Sequence, residues 1–575
     1  MQLVPFIRGY SRDLLALIVV ILALWLPRGL GLDQFVTPDE SLWLTRSANF
    51  YEALAQGDLA STYQREHPGV TVMWAGTASF LLRYPEYRDS QRGQLTNDEF
   101  DEFMGRRARP VTPLQLLVTA RALLILAQVL ILALCYLYAR RLLGRLPAFL
   151  GFLLVAFDPF HLALTRLLHL DGPYSNLVLL ALLAFVAYLR HRRKRDLLLS
   201  GLAAGLSGLT KTPALFLIPV VGLLALLEAR SRSRMDGEHR LAGQLRLAGL
   251  PVLWAQLRPW LAWLALSALV FTLLWPSMWV QPLQTLANLL DGALRVVEAG
   301  HNSAVFFNGQ VITDGNLGLS YFYYYPLTYL WRATLPVLLG LALAAWGVLA
   351  QRAPFDRPEA RQAALGLLLL GMIFVVGFTL AEKKFDRYLL PAYAPLDILA
   401  GMGWSCLVME MATAHKGLLK TYGRLTALLI VLLIVALQAG LSMKTFPYYF
   451  TYYNPLLGGG SQAPEVMHVG WGEGLDQAAR YLNQKPDAAQ LSAISWGSTG
   501  CLSYFFAGST RSILLEQTTD EVQLKRLLDS DYAVIYINQV QAQLASPVLE
   551  YVAQLKPEQT IWLNGIRYAD IYKID

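Results

Sequence analysis

The stretch PYSNLVLLALLAFVAYLRHRRKR, residues 173–195, decides how this chain is read. From Leu177 to Leu189 it carries no charge, and Arg190, Arg192, Arg193, Lys194 and Arg195 follow almost at once. A run of about 20 apolar residues can cross the hydrocarbon core as a helix, and basic residues collect at its cytoplasmic end. Residues 173–189 therefore read as a membrane span that ends inside.

Outward from this stretch the same pattern recurs. Apolar runs of spanning length cover 13–30, 114–139, 146–164, 252–275, 326–350, 362–380, 389–410 and 425–442. Residues 197–229 are also apolar but are interrupted at Thr210-Lys211-Thr212-Pro213, which predicts two shorter helices. The count is about eleven transmembrane helices. With the N-terminus in the cytoplasm, Arg140/Arg141/Arg145, Arg230/Arg232/Arg234, Arg352/Arg357/Arg361 and Lys416/Lys420/Arg424 all fall on the cytoplasmic side with the 190–195 cluster. The run 69–82 is the exception. At ~1.5 Å per residue it reaches only about 21 Å, and a crossing there would flip every later basic cluster outward. It is expected to lie at the interface or to re-enter.

Composition agrees. Of 575 residues, 55% are hydrophobic and 15% charged, against roughly a quarter charged in soluble domains. The net charge of +7 lies in short clusters between apolar runs, so topology explains it and nucleic acid is not expected. The first apolar run ends in Trp25-Leu26-Pro27-Arg28 without a small-residue cleavage site, and reads as a retained span. Cys135 and Cys406 lie in apolar runs, which argues against a disulfide framework. The expected protein is multi-pass in the plasma membrane, with its C-terminal region outside.

Three long segments then face outward: 31–113, 276–322 and 443–575. The first two are loops of a membrane domain spanning 1–442. The third alternates like a soluble domain. Ala533-Val534-Ile535-Tyr536-Ile537 and Ile561-Trp562-Leu563 predict strands, and 474–484 and 519–529 predict helices. The fold class expected is an α-helical polytopic membrane protein with a small α/β extracytoplasmic domain.

Residues able to do chemistry cluster on the outer side. Thr37-Pro38-Asp39-Glu40 has the form of a capping box with proline at the first helical position, so a helix start alone accounts for it. Its carboxylates would also sit at the membrane surface, where one could take a proton from a hydroxyl nucleophile or hold a cation. Arg65-Glu66-His67-Pro68-Gly69 precedes the interfacial run; His67 is either a polar helix entry or a contact for an anionic head group. The short second outer loop holds Asp158-Pro159-Phe160-His161, then Arg166, His169 and Asp171. Asp171 can cap the next helix and Arg166 can snorkel, yet charges this close to lipid are functional candidates. Lys211 is a lone cation between two short helices. Glu382-Lys383-Lys384-Phe385-Asp386-Arg387-Tyr388 places three cations on the disfavoured side, either to anchor a helix or to bind phosphate. Tyr323-Tyr324-Tyr325 reads as an aromatic belt. No nucleotide loop, zinc spacing or Gly-x-Ser-x-Gly is present.

The order of these pieces resembles the lipid-linked GT-C glycosyltransferases, in particular the protein O-mannosyltransferase and aminoarabinose transferase superfamily. The resemblance is carried by Pro38-Asp39-Glu40, His67-Pro68-Gly69, Thr165-Arg166 with Leu170-Asp171-Gly172-Pro173, Gly208-Leu209-Thr210-Lys211, Tyr323-Tyr324-Tyr325-Pro326 with Leu335-Pro336, and Asp386-Arg387-Tyr388-Leu389-Leu390-Pro391. It covers roughly residues 10–440, with Gly69 and His67 departing from the residues often found there. It implies a polyprenyl-phosphate sugar donor and an acceptor hydroxyl on a protein, a lipid or a glycan, with inversion at the anomeric carbon. Asp39 would be the general base, with Glu40 and Asp171 positioning the acceptor or a cation. Arg387, Tyr388, Lys383, Lys384, Lys211, His67 and Arg166 would face the donor phosphate. Asp39 and Asp171 are compatible with a divalent cation, Mg or Mn. The competing expectations are a transporter or flippase of lipid-linked sugars, which should show repeated gapped helix pairs, and a receptor working through 443–575.

Overall fold

The computed structural model describes residues 3–105, 110–237, 249–298, 304–413, 419–513, 520–542 and 546–574. The fold is α-helical and polytopic. In chain order the helices that matter are α1 (Leu3–Gly29), α2 (Pro38–Gln56), α3 (Val70–Arg83), α4 (Pro113–Leu143), α5 (Arg145–Ala156), α6 (Pro159–Thr165), α7 (Asp171–His191), α8 (Lys194–Thr210), α9 (Leu217–Gly237) and α10 (Gly249–Leu273). They continue as α11 (Pro282–Glu298), α12 (Tyr324–Arg332), α13 (Leu335–Leu349), α14 (Pro358–Thr379), α15 (Leu390–Thr413) and α16 (Leu419–Lys444). Every expected span falls on a helix or helix pair. Among the described residues six helices are long and apolar enough to cross a membrane, and eight if bent pairs count as one span.

α7 is the axis of the bundle. It is apolar on every face and its apolar window is 94% buried, packed by α4, α8 and α15. A helix hydrophobic all round belongs inside. α16 has the same hydropathy class but only 22% of its window is buried; Leu425, Leu428, Leu432 and Leu433 point outward, as a lipid-facing helix does.

Two expected continuous spans are broken. The run 146–164 bends by 66° between α5 and α6, where Asp158 accepts from the His161 amide and Pro159 starts the new helix. The run 326–350 bends by 114° between α12 and α13, at Ala333-Thr334 before Pro336. Proline cannot supply the amide that a continuous helix needs, so a new helix begins instead. Arg332 at the bend is fully buried. Its guanidinium pairs with Asp386 at 2.8 Å and donates to the Phe450 and Tyr452 carbonyls at 2.6 and 2.9 Å. The interruption at Thr210–Pro213 is present as predicted, with a 3-10 turn over Thr212–Phe216 between α8 and α9. The short run 69–82 is α3, 14 residues long, packed on α2 and α4.

A hairpin, β1 (Val305–Phe307) and β2 (Gln310–Ile312), lies in the second long loop. Beyond α16 the chain forms β3 (Ser492–Ser495), β4 (Ser509–Ser512), β5 (Tyr532–Tyr536), β6 (Gln559–Leu563) and β7 (Ile566–Lys573). The sheet order is β4-β3-β5-β7-β6, parallel on the β4-β3-β5 side and antiparallel on the other. Helices Leu475–Leu482 and Asp520–Leu528 stand where sequence patterning puts them.

This sheet domain is seated on the start of α2. Gly472 has φ +105°, and a Cβ there would lie 2.4 Å from the Val36 carbonyl oxygen. Gly500 has φ +85°, and its Cβ would lie 2.4 Å from that of Ser41. Both positions need glycine for the left-handed backbone and for the close approach. The Ser41 hydroxyl is 3.5 Å from the Thr499 carbonyl across 458 residues of sequence.

Candidate active site

Asp39 and Glu40 open α2, and the capping box is present: the Thr37 side chain accepts from the Glu40 amide while the Glu40 carboxylate accepts from the Thr37 amide. The two carboxylates then part company. Glu40 is fully buried. It accepts from Arg121 Nε at 2.7 Å, Arg121 Nη2 at 2.5 Å and the Leu168 amide at 2.8 Å. Arg121 also donates to the Leu32 and Phe35 carbonyls. Glu40 therefore ties α2 to α4 and to the loop before α7, and has no capacity left for an acceptor or a cation. Sequence reasoning missed Arg121 because a single arginine in an apolar run gives no hint of its partner.

Asp39 keeps 29% of its side-chain surface exposed. His169 Nε2 lies 3.3 Å from one carboxylate oxygen and Arg387 Nη2 lies 3.5 Å from the same oxygen. The Asp171 amide is 3.3 Å from His169 Nδ1. The same Nδ1 is 3.4 Å from an Asp171 carboxylate oxygen, so the ring bridges Asp39 and Asp171. Partial burial pushes the Asp39 carboxyl up, but the His169 hydrogen bond and the Arg387 charge outweigh it and hold it below the usual carboxylate range. Asp39 is thus ionised and aimed.

Asp171 sits behind this pair. Lys211 Nζ meets one of its oxygens at 2.6 Å, and Arg387 Nε is 3.9 Å from the other. Lys211 also stands 4.4 Å over the Tyr388 ring. The interruption between α8 and α9 is what delivers Lys211 here. Arg387 packs 4.0 Å over Phe385 and 4.6 Å over Trp471, and its Nε has no hydrogen-bond partner among the described residues. A guanidinium with long carboxylate contacts and an unused donor can still take an anion. Lys383 is half-buried and, among the described residues, forms no ion pair with a carboxylate. Burial lowers its ammonium below the ordinary lysine value, Arg387 adding to the effect. His67 is pushed down to about 3 by burial and then by the Lys211 charge, so it stands beside the cluster as a neutral ring.

Asp39, Asp171, Lys211, His67, Arg387, Tyr388 and Lys383 therefore converge. Glu40, Arg166 and Lys384 do not join them. Arg166 donates to the Leu30, Gly31 and Pro447 carbonyls at 2.5, 2.6 and 3.1 Å, stapling the end of α1 to the segment after α16. Lys384 donates to the Thr379 carbonyl at 2.8 Å and to the Ala381 carbonyl, closing the end of α14. Among the described residues no group of three His, Cys, Asp or Glu side chains is arranged to hold a metal ion. Lys211 and Arg387 already set positive charge against Asp171 and Asp39 from within the chain.

Two cavities lie beside residues of this cluster or their chain neighbours. A polar one of about 250 Å³ is lined by Asp39, Arg387, Phe385, His468, Trp471 and Trp496. An apolar one of about 370 Å³ is lined by Pro68, Gly208, Thr212, Trp263, Phe271 and Leu290. Pro68 and Thr212, on the apolar lining, are the chain neighbours of His67 and Lys211. His169, His468 and Trp471 were not singled out as site residues from sequence. His169 has the one visible signal, a position two residues before Asp171. His468 and Trp471 reach the site only through the seating of the sheet domain.

Residues 116–263, about a quarter of the chain, match the family model described as dolichyl-phosphate-mannose-protein mannosyltransferase. The matched stretch contains Arg121, His169, Asp171 and Lys211 but neither Asp39 nor Arg387. No curated protein matches the chain at significance. Among solved structures, ArnT from Cupriavidus metallidurans in the apo state is similar at 16% identity and TM-score 0.49, over 98% of both chains. The S. cerevisiae protein O-mannosyltransferase Pmt1-Pmt2 complex is similar at 12% identity and TM-score 0.49, over 76% of this chain and 90% of that one. The oligosaccharyltransferase AglB from Archaeoglobus fulgidus is similar at 12% identity and TM-score 0.44, over 92% of this chain and 70% of that one. The family match falls on the superfamily that the order of motifs predicts, and it is the lipid-linked glycosyltransferases of GT-C type that this chain resembles.

Proposed function

We propose that the chain transfers a sugar from a polyprenyl-phosphate donor to an acceptor hydroxyl on the extracytoplasmic side, with inversion and with Asp39 as general base. The observation that carries this reading is the placement of an ionised, partly open Asp39 beside Arg387 in a polar cavity, with an apolar groove lined by the chain neighbours of His67 and Lys211. The isoprenoid would lie in the groove beside Pro68, Thr212 and Phe271. Its phosphate would stand at Arg387 and Lys383. The sugar would then project towards Asp39.

Asp39 takes the proton from the acceptor hydroxyl, and the oxygen attacks the anomeric carbon from the face opposite the phosphate. The bond from that carbon to the phosphate oxygen breaks, and the electron pair leaves with the phosphate. The extra negative charge is stabilised by Arg387 and Lys383, which are aimed in advance. Asp171 keeps Lys211 and the Arg387 Nε in position, and His169 fixes the Asp39 rotamer. The sugar–phosphate bond is already activated, so no nucleotide site is required. On this reading residues 1–442 form the catalytic membrane domain and 443–575 an outer domain. The membrane orientation follows the basic clusters.

The test is incorporation of radiolabelled sugar from polyprenyl-phosphate donors by the purified chain, comparing wild type with Asp39→Asn. Equal transfer by the two removes the assigned base. An absence of transfer by the wild type with every donor favours the transporter reading.

A further inference from the structure

The transfer chemistry leaves one wall of the polar cavity without a task. That wall belongs to the sheet domain and is made by His468, Trp471, Trp496 and Asn538. Trp496 stacks on Tyr536 with ring centroids 5.3 Å apart and planes 5° from parallel. One indole face is thereby used and its orientation is set; the remainder lines the cavity. His468 Nδ1 and Asn538 Oδ1 are buried beside it without a hydrogen-bond partner among the described residues. Buried polar atoms are nearly always paired in folded proteins, and the exceptions call for a missing partner.

The backbone is arranged to bring these groups in. Gly470 has φ +102°, and a Cβ there would lie 2.6 Å from Tyr536 Cε1. Only glycine lets the segment 468–471 run so close to the ring that supports Trp496. Burial pushes His468 down to about 4, with Arg387 also lowering it against Asp386, so the imidazole is neutral and offers one donor and one acceptor.

An aromatic plate beside unsatisfied polar atoms matches a sugar ring, which has an apolar C–H face and a rim of hydroxyls. The wall faces a cavity of about 250 Å³ that also opens on Asp39 and Arg387.

We propose that this wall binds a pyranose ring of the acceptor, so that the hydroxyl receiving the transferred sugar belongs to a saccharide. Trp496 is the stacking plate, and His468 and Asn538 bond the hydroxyls that do not react. The inference rests on the reading of Asp39 as base, since the same cavity holds both.

The test is saturation-transfer difference NMR on the full chain in nanodiscs. The probes are methyl glycosides of glucose, galactose, mannose and N-acetylglucosamine and, separately, a short peptide containing serine and threonine. Saturation of the ring protons of at least one glycoside is expected, at least about five-fold weaker in Trp496→Leu and in Asn538→Ala. Trp496→Tyr, which keeps the plate, retains it, and a thermal melt of each variant separates lost binding from lost fold. Saturation of none of the glycosides overturns the proposal. So does an equal signal in wild type and both weakened variants at unchanged melting temperature, or a signal from the peptide alone. The NMR readout needs no turnover, so a failed transfer assay with intact glycoside binding removes the transferase reading and not the saccharide site.

Discussion

Two ion-pair clusters begin at adjacent residues of one helical turn, and they are built to opposite ends. Glu40 and Arg121 are sealed, with side chains 0% and 3% exposed and contacts of 2.5–2.7 Å. Asp39 and Arg387 are looser, 3.5 Å apart, with 29% and 14% exposed. The sealed pair satisfies every donor and acceptor within reach and so can only hold structure. The open pair leaves charge and hydrogen-bonding capacity unspent. Contact length and residual exposure, more than residue type, separate a site from a scaffold here.

The largest expected effect tests the open cluster. Asp39→Asn should lower sugar transfer by about 10²–10⁴-fold, the range for losing a positioned base, while the thermal melt stays within about 2 °C of wild type. The sealed cluster should behave in reverse. Glu40→Ala or Arg121→Ala leaves a buried charge alone and should cost about 3–5 kcal/mol of stability, seen as a lower denaturation midpoint. Glu40→Gln combined with Arg121→Met should recover much of that loss. If Glu40→Ala instead left the melt unchanged and abolished transfer, the contrast between the clusters would collapse.

A smaller effect concerns pH. The Asp39 carboxyl is held below the ordinary value of about 3.9 despite burial, by His169 and Arg387. The sign follows: these contacts stabilise the folded chain at every pH above the ordinary value and are lost as pH falls through the lowered one. Transfer should therefore persist on acidification to below the usual carboxylate range. His169→Asn removes the hydrogen bond and should move the acid limb of the transfer profile to higher pH, with about a ten-fold lower rate at neutral pH. An unmoved acid limb would separate His169 from Asp39. The smallest effect is at Lys384. Lys384→Met should leave transfer within about two-fold and cost about 1 kcal/mol, since Lys384 lines the polar cavity but its ammonium bonds helix-end carbonyls. A topological check accompanies these: reporters fused near residue 235 and after residue 460 should report cytoplasm and exterior respectively.

Much of the fold is legible in the sequence because lipid imposes one simple demand, an uninterrupted apolar helix with charge at its ends. Lys211 is legible for the same reason, as a cation that interrupts such a run. The bends at Asp158-Pro159 and Thr334–Pro336 are not, since proline near the first turn of a helix and proline inside a span look alike until Asp158 and Arg332 find their partners. Within the site, Asp39 and Glu40 could not be told apart from local pattern. Their difference is decided by Arg121, which lies 81 residues from Glu40, and by Arg387, which lies 348 residues from Asp39. The sheet-domain wall is the least legible part, because His468 and Trp471 mean nothing until Gly472 and Gly500 settle against Val36 and Ser41.

That settling has a consequence for how the protein comes into being. Thr499 is synthesised 458 residues after the Ser41 it rests on, so that contact forms only after every helix of the bundle has been made. A nascent chain with every span already inserted still lacks one side of its reaction chamber. On the proposed reading the polar cavity is complete only once the sheet domain has docked on α2, so transfer would begin at that last step of folding.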